Sequence, residues 1–158
     1  MPSATGAFLE NRRIFHSRDV DETRAWLRDK EFRFDLPGRQ TVRPDVRVNG
    51  VYLPNMYLGY LQYGVQAMVS AAPTRGDYWI HLPIRGSLDA SFGRDTIACD
   101  LRRAVILSPT RDNYNSMQLD ADCSRDLFTS TGTHCSGSSR PCSASRWINP
   151  SSSIRTWR

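Results

Sequence analysis

The chain has 158 residues, 39% of them hydrophobic and 10% aromatic, which supplies the core of one domain and excludes a wholly disordered protein. Its net charge of +5 does not mark a nucleic-acid binder, because residues 1 to 125 carry 17 Lys and Arg against 15 Asp and Glu, and residues 126 to 158 carry 4 against 1. Neither a leader with a small-residue cleavage site nor an apolar run of about eighteen residues is read, so the expectation is a cytoplasmic protein without a membrane span.

Residues 1 to 12 read as a flexible N-terminus. Asp19 followed by Glu22 resembles a capping box and predicts a helix to about Lys30, with Val20, Thr23 and Leu27 on one face. The charges of RDVDETRAWLRDKE alternate in sign, as on a solvated helix face with internal pairing. From Phe32 onward, short runs rich in Val, Ile, Tyr and Phe alternate with Gly, Pro, Asn and Asp. Strands are predicted at 46 to 53, 56 to 63, 65 to 71, 77 to 84, 87 to 92, 96 to 101, 104 to 108 and 116 to 121. The punctuation between them is Pro54-Asn55, Gly64, Pro73 to Gly76, Gly86, Gly93 and Pro109 to Asn113. Eight short strands predict a mainly β protein, a barrel or jelly roll with an N-terminal helix, because closing or doubling the sheet removes exposed edges. In the run 77 to 84, Tyr78, Ile80, Leu82 and Ile84 form one face and Trp79, His81 and Pro83 the other. Both faces therefore read as partly buried.

A metal-dependent barrel enzyme needs two or three histidines and a carboxylate around one ion. Residues 13 to 125 offer only His16, ahead of the helix, and His81, alone in its strand. GxSxG is absent, and neither Cys99 nor Cys123 has a basic partner in its strand pattern. Cys99, Cys123, Cys135 and Cys142 lack CxxC spacing, and the first two read as small core residues. No catalytic residue, metal ligand or cofactor is assigned. What remains is an aromatic set, Tyr57, Tyr60, Tyr63, Met68, Tyr78 and Trp79. Each taken singly reads as core or belt. Together they suggest a lined cavity, with Tyr60, Gln62, Met68, Trp79 and His81 as the candidate effector pocket.

In order, SRDVDETRAWL, LGYLQYGVQAMV, DYWIHLPIRGSL and RRAVILSPT resemble the N-terminal effector-sensing domain of AraC-type transcription regulators, over roughly residues 13 to 125. The resemblance implies a cupin-like barrel that binds a small metabolite, helps to form a homodimer, and signals to a separate C-terminal helix-turn-helix part that holds DNA. Nothing after Cys123 resembles a recognition helix, so no DNA contact is assigned here and DNA is expected only through the missing C-terminal part. The effector is unidentified; a mildly basic body and aromatic interior suit an aromatic or carboxylated metabolite. The alternative from another class is a small stand-alone cupin-like enzyme or small-molecule carrier.

Residues 126 to 158 hold nine serines, two cysteines and two tryptophans at no helical or strand period. They read as a Ser-rich tail that is irregular or disordered, or non-native through a slipped reading frame. In the frame that takes the last base of each codon with the first two of the next, Phe, Cys and Trp codons place T in the middle and encode apolar residues. Positions 135, 142 and 147 are then forced apolar, and 139 and 143 join them with TCN serine codons. The spacing i, i+4, i+7, i+8, i+12 is that of an amphipathic helix. On that reading the domain is a truncated, frameshifted product lacking a covering helix, which implies poor solubility.

Overall fold

The computed structural model describes residues 8–38, 42–71, 77–107, 115–131 and 154–157. In chain order the elements are β1 (Arg13–Ser17), α1 (Val20–Arg28), β2 (Phe32–Asp35), β3 (Val46–Leu53), β4 (Met56–Gln62), β5 (Ala67–Ala71), β6 (Asp77–Arg85), β7 (Leu88–Phe92), β8 (Asp95–Cys99), β9 (Ala104–Leu107), β10 (Asn115–Leu119), β11 (Ser124–Thr131) and β12 (Ile154–Trp157). Each of the eight predicted strands is present to within two residues at either end. The protein is mainly β, as the pattern predicted.

The strands form two antiparallel sheets. One has seven strands in the order β1-β3-β4-β11-β6-β9-β12, the other five in the order β2-β5-β10-β7-β8. Their facing sides hold the core, including Phe34, Val46, Val48, Tyr63, Val65, Val69, Leu88, Val105, Met117, Leu119 and Leu127. Cys99 and Cys123 are buried free thiols within it.

α1 begins as its sequence predicts, with one change in wiring. The Asp19 Oδ1 carboxylate oxygen accepts from the backbone N–H groups of Asp21 (2.9 Å) and Glu22 (2.8 Å). Glu22 does not reach back to the Asp19 N–H as a reciprocal capping box requires. Ser17 stands between them: its hydroxyl accepts from Asp19 N at 3.0 Å and donates to the Glu22 carboxylate. Thr23 and Leu27 are buried, Val20 partly so, and the helix packs against β1 and β2.

The structure adds three particulars at the ends of the domain. Residues 8 to 12 are hydrogen-bonded to β3, where Asn49 Nδ2 donates to Phe8 O (3.1 Å) and Gly50 N to Arg12 O (2.9 Å). Residues 1–7 lie outside the described set. The boundary expected at 125 falls inside β11, whose Asp126 to Thr131 continue the pairing with β4 on one side and β6 on the other. Leu127 and the β-branched threonines 129 and 131 suit a strand, and Leu127 is 4% exposed. Within the expected irregular tail, Ile154–Trp157 pairs with β9 as an edge strand; residues 132–153 and 158, and with them the slipped-frame helix positions, lie outside the described residues.

Pro83 occupies a strand between two neighbours without breaking it. Its pairing with β9 stops at His81–Val105, and a register irregularity lies between Ser124 and Arg125 of β11. The missing proline N–H therefore falls where the ladder is already interrupted.

Candidate functional site

The concave face of the seven-stranded sheet is built in rows, because paired residues of adjacent strands project to the same side. One row runs Gly50, Gly59, Leu127, His81, Val105 across β3, β4, β11, β6 and β9. On one flank of it lie Tyr52, Tyr57, Thr129, Trp79 and Leu107, on the other Val48, Leu61, Arg125 and Pro83. The Gly50–Gly59 pair leaves the middle row without side chains on two strands. The Tyr57 ring fills that gap, lying where a Cβ on either glycine would come within 2.6 Å of it. Its hydroxyl points to Asn49 O at 3.4 Å, and burial, with Tyr52 close by, pushes the Tyr57 phenol up to about 12.

These rows line a cavity of about 420 Å³, within the ~300–1,000 Å³ span of small-molecule sites. Trp26 and Leu27 of α1, Lys30 just after it, Phe32 of β2 and Val69 of β5 close it from the helix side and the second sheet. Trp26 is clamped between the Phe15 ring, 4.5 Å away and stacked, and the Lys30 ammonium, 3.9 Å from its ring centroid. Phe32 tilts against Trp79 with ring centroids 5.5 Å apart. The exposed Tyr52, Leu53 and Met56, at the β3–β4 turn, mark the open end. Arg125, 2% exposed, marks the closed one.

Of the pocket residues expected from sequence, Trp79 and His81 are on the cavity wall; Tyr60, Gln62 and Met68 are not. Strand parity is the reason. On β4 and just beyond it the cavity takes the odd positions 57, 61 and 63, whereas Tyr60 and Gln62 share the opposite face, where the Tyr60 hydroxyl donates to Gln62 Oε1 at 2.7 Å. Met68 is 40% exposed on β5, and its neighbour Val69 faces inward. Tyr57, one of the aromatic set, lines the cavity too, as does Arg125, which the residue pattern does not single out. Arg125 stood at the edge of the segment set aside as a tail, and only the pairing of β11 reveals its side.

The polar content of the cavity is small and partly unsatisfied. Among the described residues the buried Trp79 Nε1, both His81 ring nitrogens, and Arg125 Nε and Nη1 have no hydrogen-bond partner. His81 stacks with Trp79 at 6.4 Å. Burial first, and the Arg125 charge second, hold the His81 imidazole well below its ordinary 6.5, so it is neutral at pH 7. The Cys123 thiol is raised by burial despite the nearby Arg125 guanidinium, and the Cys99 thiol is pushed by burial, with Asp89 and Asp100 adding, to about 11. Neither is poised as a nucleophile.

His16, the other histidine of the body, is remote from this site. Its Nε2 lies 2.8 Å from Asp45 Oδ1, and Arg18 and Arg47 reach the same carboxylate. Burial raises the Asp45 carboxyl, but the hydrogen bonds from His16, Arg47 and Arg18 outweigh it and leave the group below 3.8. Among the described residues no three His, Cys, Asp or Glu side chains are grouped to hold a metal ion, and no helix is long and apolar enough to cross a membrane.

The His81 shift predicts a pH dependence of stability. The unfolded chain takes up a proton near 6.5 where the folded chain does not, so this contribution is intact above 6.5 and is lost as pH falls through that value. Between pH 7.5 and 5.5 it amounts to on the order of 1 kcal/mol. Urea unfolding at the two pH values measures it. His81→Gln should remove most of the difference; an unchanged difference would assign the proton uptake elsewhere.

Residues 23–125 match the AraC-binding-like domain family. No curated protein matches the chain by sequence. Among solved structures, the AraC-like transcriptional activator CuxR superposes with a TM-score of 0.57 at 16% identity, over 73% of this chain and 46% of that one. The Cnp3 cupin domain of Schizosaccharomyces pombe gives 0.47 at 13% identity over 60% and 74%, and the EutQ protein of Clostridium difficile 0.47 at 9% over 75% and 95%. The chain thus spans less than half of the CuxR chain it resembles in fold.

Proposed function

Because the chain belongs to the AraC-binding-like domain family, we propose that it is the effector-sensing module of a transcription regulator and that the effector occupies the cavity between the two sheets. The observation that supports this most directly is the combination of a ligand-sized, largely apolar cavity with unpartnered polar atoms from Trp79, His81 and Arg125. Ligand sites have that composition: an apolar wall that contributes most of the burial and a few polar groups that fix orientation. Buried polar groups left unpaired are costly in a domain whose only task is to be stable.

In this reading the module acts inside the cell, self-associates, and does not itself touch DNA; promoter contact belongs to a different part of the regulator. The sensing unit extends to the end of β11 at Thr131. A stand-alone enzyme is the weaker reading, because among the described residues the cavity offers one neutral histidine and no second acid or base beside it.

A thermal-shift screen of metabolites against the chain tests the reading, since a ligand that binds only the native state raises Tm. A hit at 100 times its Kd stabilises by about 2.7 kcal/mol, a shift of roughly 5–10 °C at this size. Val69→Trp, which fills the cavity, should abolish the shift. A hit that still shifts Val69→Trp binds elsewhere and removes the support for this pocket.

A further inference from the structure

The buried guanidinium of Arg125 meets the neutral Cys123 thiol but no carboxylate among the described residues. It is 2% exposed and lines the cavity, and its Nε and Nη1 have no partner among the described residues. None of the ion pairs there involves it. Its surroundings are the Tyr63 ring, whose centroid is 5.5 Å from Cζ, the buried Cys123 thiol and the His81 imidazole. None of these carries a negative charge. The acid on the cavity wall, Asp77, pairs with Thr131, six residues along β11 from Arg125 and therefore about 20 Å away. A guanidinium keeps its charge wherever it is placed, and an uncompensated buried charge costs several kcal/mol.

Resting on the reading of this cavity as the effector pocket, we propose that the ligand is a monocarboxylate with an apolar or aromatic body, its carboxylate seated on the Arg125 fork at the closed end. Two parallel N–H groups of a guanidinium match the two oxygens of a carboxylate. A single buried cation balances a single negative charge, whereas a phosphate dianion would need a second. The other cation on the wall, Lys30, is exposed and already bonded to Trp26 O at 3.4 Å. The apolar body then runs from Arg125 along Leu61 and Leu127 toward Trp79 and Phe32. The Trp79 Nε1–H and the His81 ring nitrogens flank this path as further partners for a polar substituent.

The experiment uses the full chain and three probe pairs, each a carboxylate with its own amide: phenylacetate, cinnamate and octanoate, with inorganic phosphate as a fourth anion. Thermal shift and the fluorescence of the cavity tryptophans are read for wild type, Arg125→Met and Arg125→Lys. At least one carboxylate should bind wild type while its amide binds at least about tenfold more weakly. Arg125→Met should lose the same factor and, without ligand, melt at least about 3 °C above wild type, because a buried unpaired charge has been exchanged for an apolar chain of similar length. Arg125→Lys, which keeps the charge but not the fork, should retain part of the carboxylate preference.

Four results would overturn the assignment. An amide that binds as well as its acid would leave an effector pocket in place but remove its anionic end. Carboxylate binding unchanged in both Arg125 variants would place the anion elsewhere. An Arg125→Met protein that melts below wild type would mean that the guanidinium is already satisfied within the chain. Binding of phosphate alone, or of no probe, would reject the monocarboxylate, while the Val69→Trp comparison still decides independently whether the cavity takes ligand.

Discussion

Gly86→Ala should destabilise the protein by about 2–5 kcal/mol, whereas Gly93→Ala, in the β7–β8 turn, should cost only about 1 kcal/mol. Both glycines have left-handed backbone, at φ +66° and +60°, a conformation that costs an L-residue roughly 1–2 kcal/mol. The surroundings separate them. A Cβ on Gly86 would lie 2.8 Å from Cys123 N and 2.9 Å from the Asp122 carbonyl carbon, while a Cβ on Gly93 meets nothing within 4 Å. Those are backbone atoms of the turn that opens β11, and that turn is itself fixed to Ser87 by Asp120 N donating to Ser87 O (3.2 Å) and by the Ser87 hydroxyl on the Asp120 carboxylate. Neither turn can retreat without breaking the other, so an overpacking cost of about 1–3 kcal/mol adds to the backbone term. Urea unfolding of the two variants gives the comparison. Equal losses would mean that the contact between the turns is soft.

The second large effect concerns where the domain ends. A chain stopped after Arg125, the boundary that residue pattern alone favours, should show no cooperative unfolding transition, whereas one stopped after Thr131 should keep it. Residues 126 to 131 carry most of β11, and β11 is the strand that joins β4 to β6. Without it the seven-stranded sheet divides in two. Both new edges carry unpaired N–H and C=O groups that the sheet had buried, and the Leu127 side chain, worth roughly 1.5–3 kcal/mol when fully buried, is gone. The combined loss is comparable with the ~5–15 kcal/mol that holds a typical domain together. β12, by contrast, is a four-residue edge strand. Far-UV circular dichroism followed through urea distinguishes the two lengths, and a sharp transition in the shorter chain would show that β4 and β6 are held by other means.

Most of the eight strands read from residue pattern are bounded by Gly, Pro, Asn or Asp and carry β-branched or aromatic residues, so local chemistry marks their ends; the Arg102-Arg103 gap and the run 116 to 121 are the exceptions. The four that were not read lack one or other signal. RIFHS (β1) and FRFD (β2) are short and broken by charge, and β12 sits in a serine-rich context. β11, SRDLFTST, opens on a charged pair and ends in hydroxyl residues that resemble the segment after it. Its place in the sheet comes from partners about 40 or more residues away, which no local pattern reports.

The candidate site was legible to the same depth. Trp79 and His81 could be placed because the alternation in β6 is long enough to define two faces. On β4 the run of Tyr57, Leu58, Tyr60 and Leu61 is apolar on both sides, so parity alone does not say which face turns inward. Gly50 and Gly59 decide it, by making room for the Tyr57 ring on one side only. Arg125 reads in sequence as one more solvated arginine; that it is buried opposite Pro83 follows from a three-strand pairing.

The interior position of β11 also orders events during synthesis. Strands β4 and β6 leave the ribosome with nothing to separate them correctly, and the segment that belongs between them arrives only after some forty further residues have been made. Until then two apolar ribbons lie open to each other and to neighbouring nascent chains, the circumstance in which wrong pairings and aggregation compete with folding. The larger sheet therefore cannot close until residue 131 has emerged, and slow translation ahead of that point would prolong the dangerous interval.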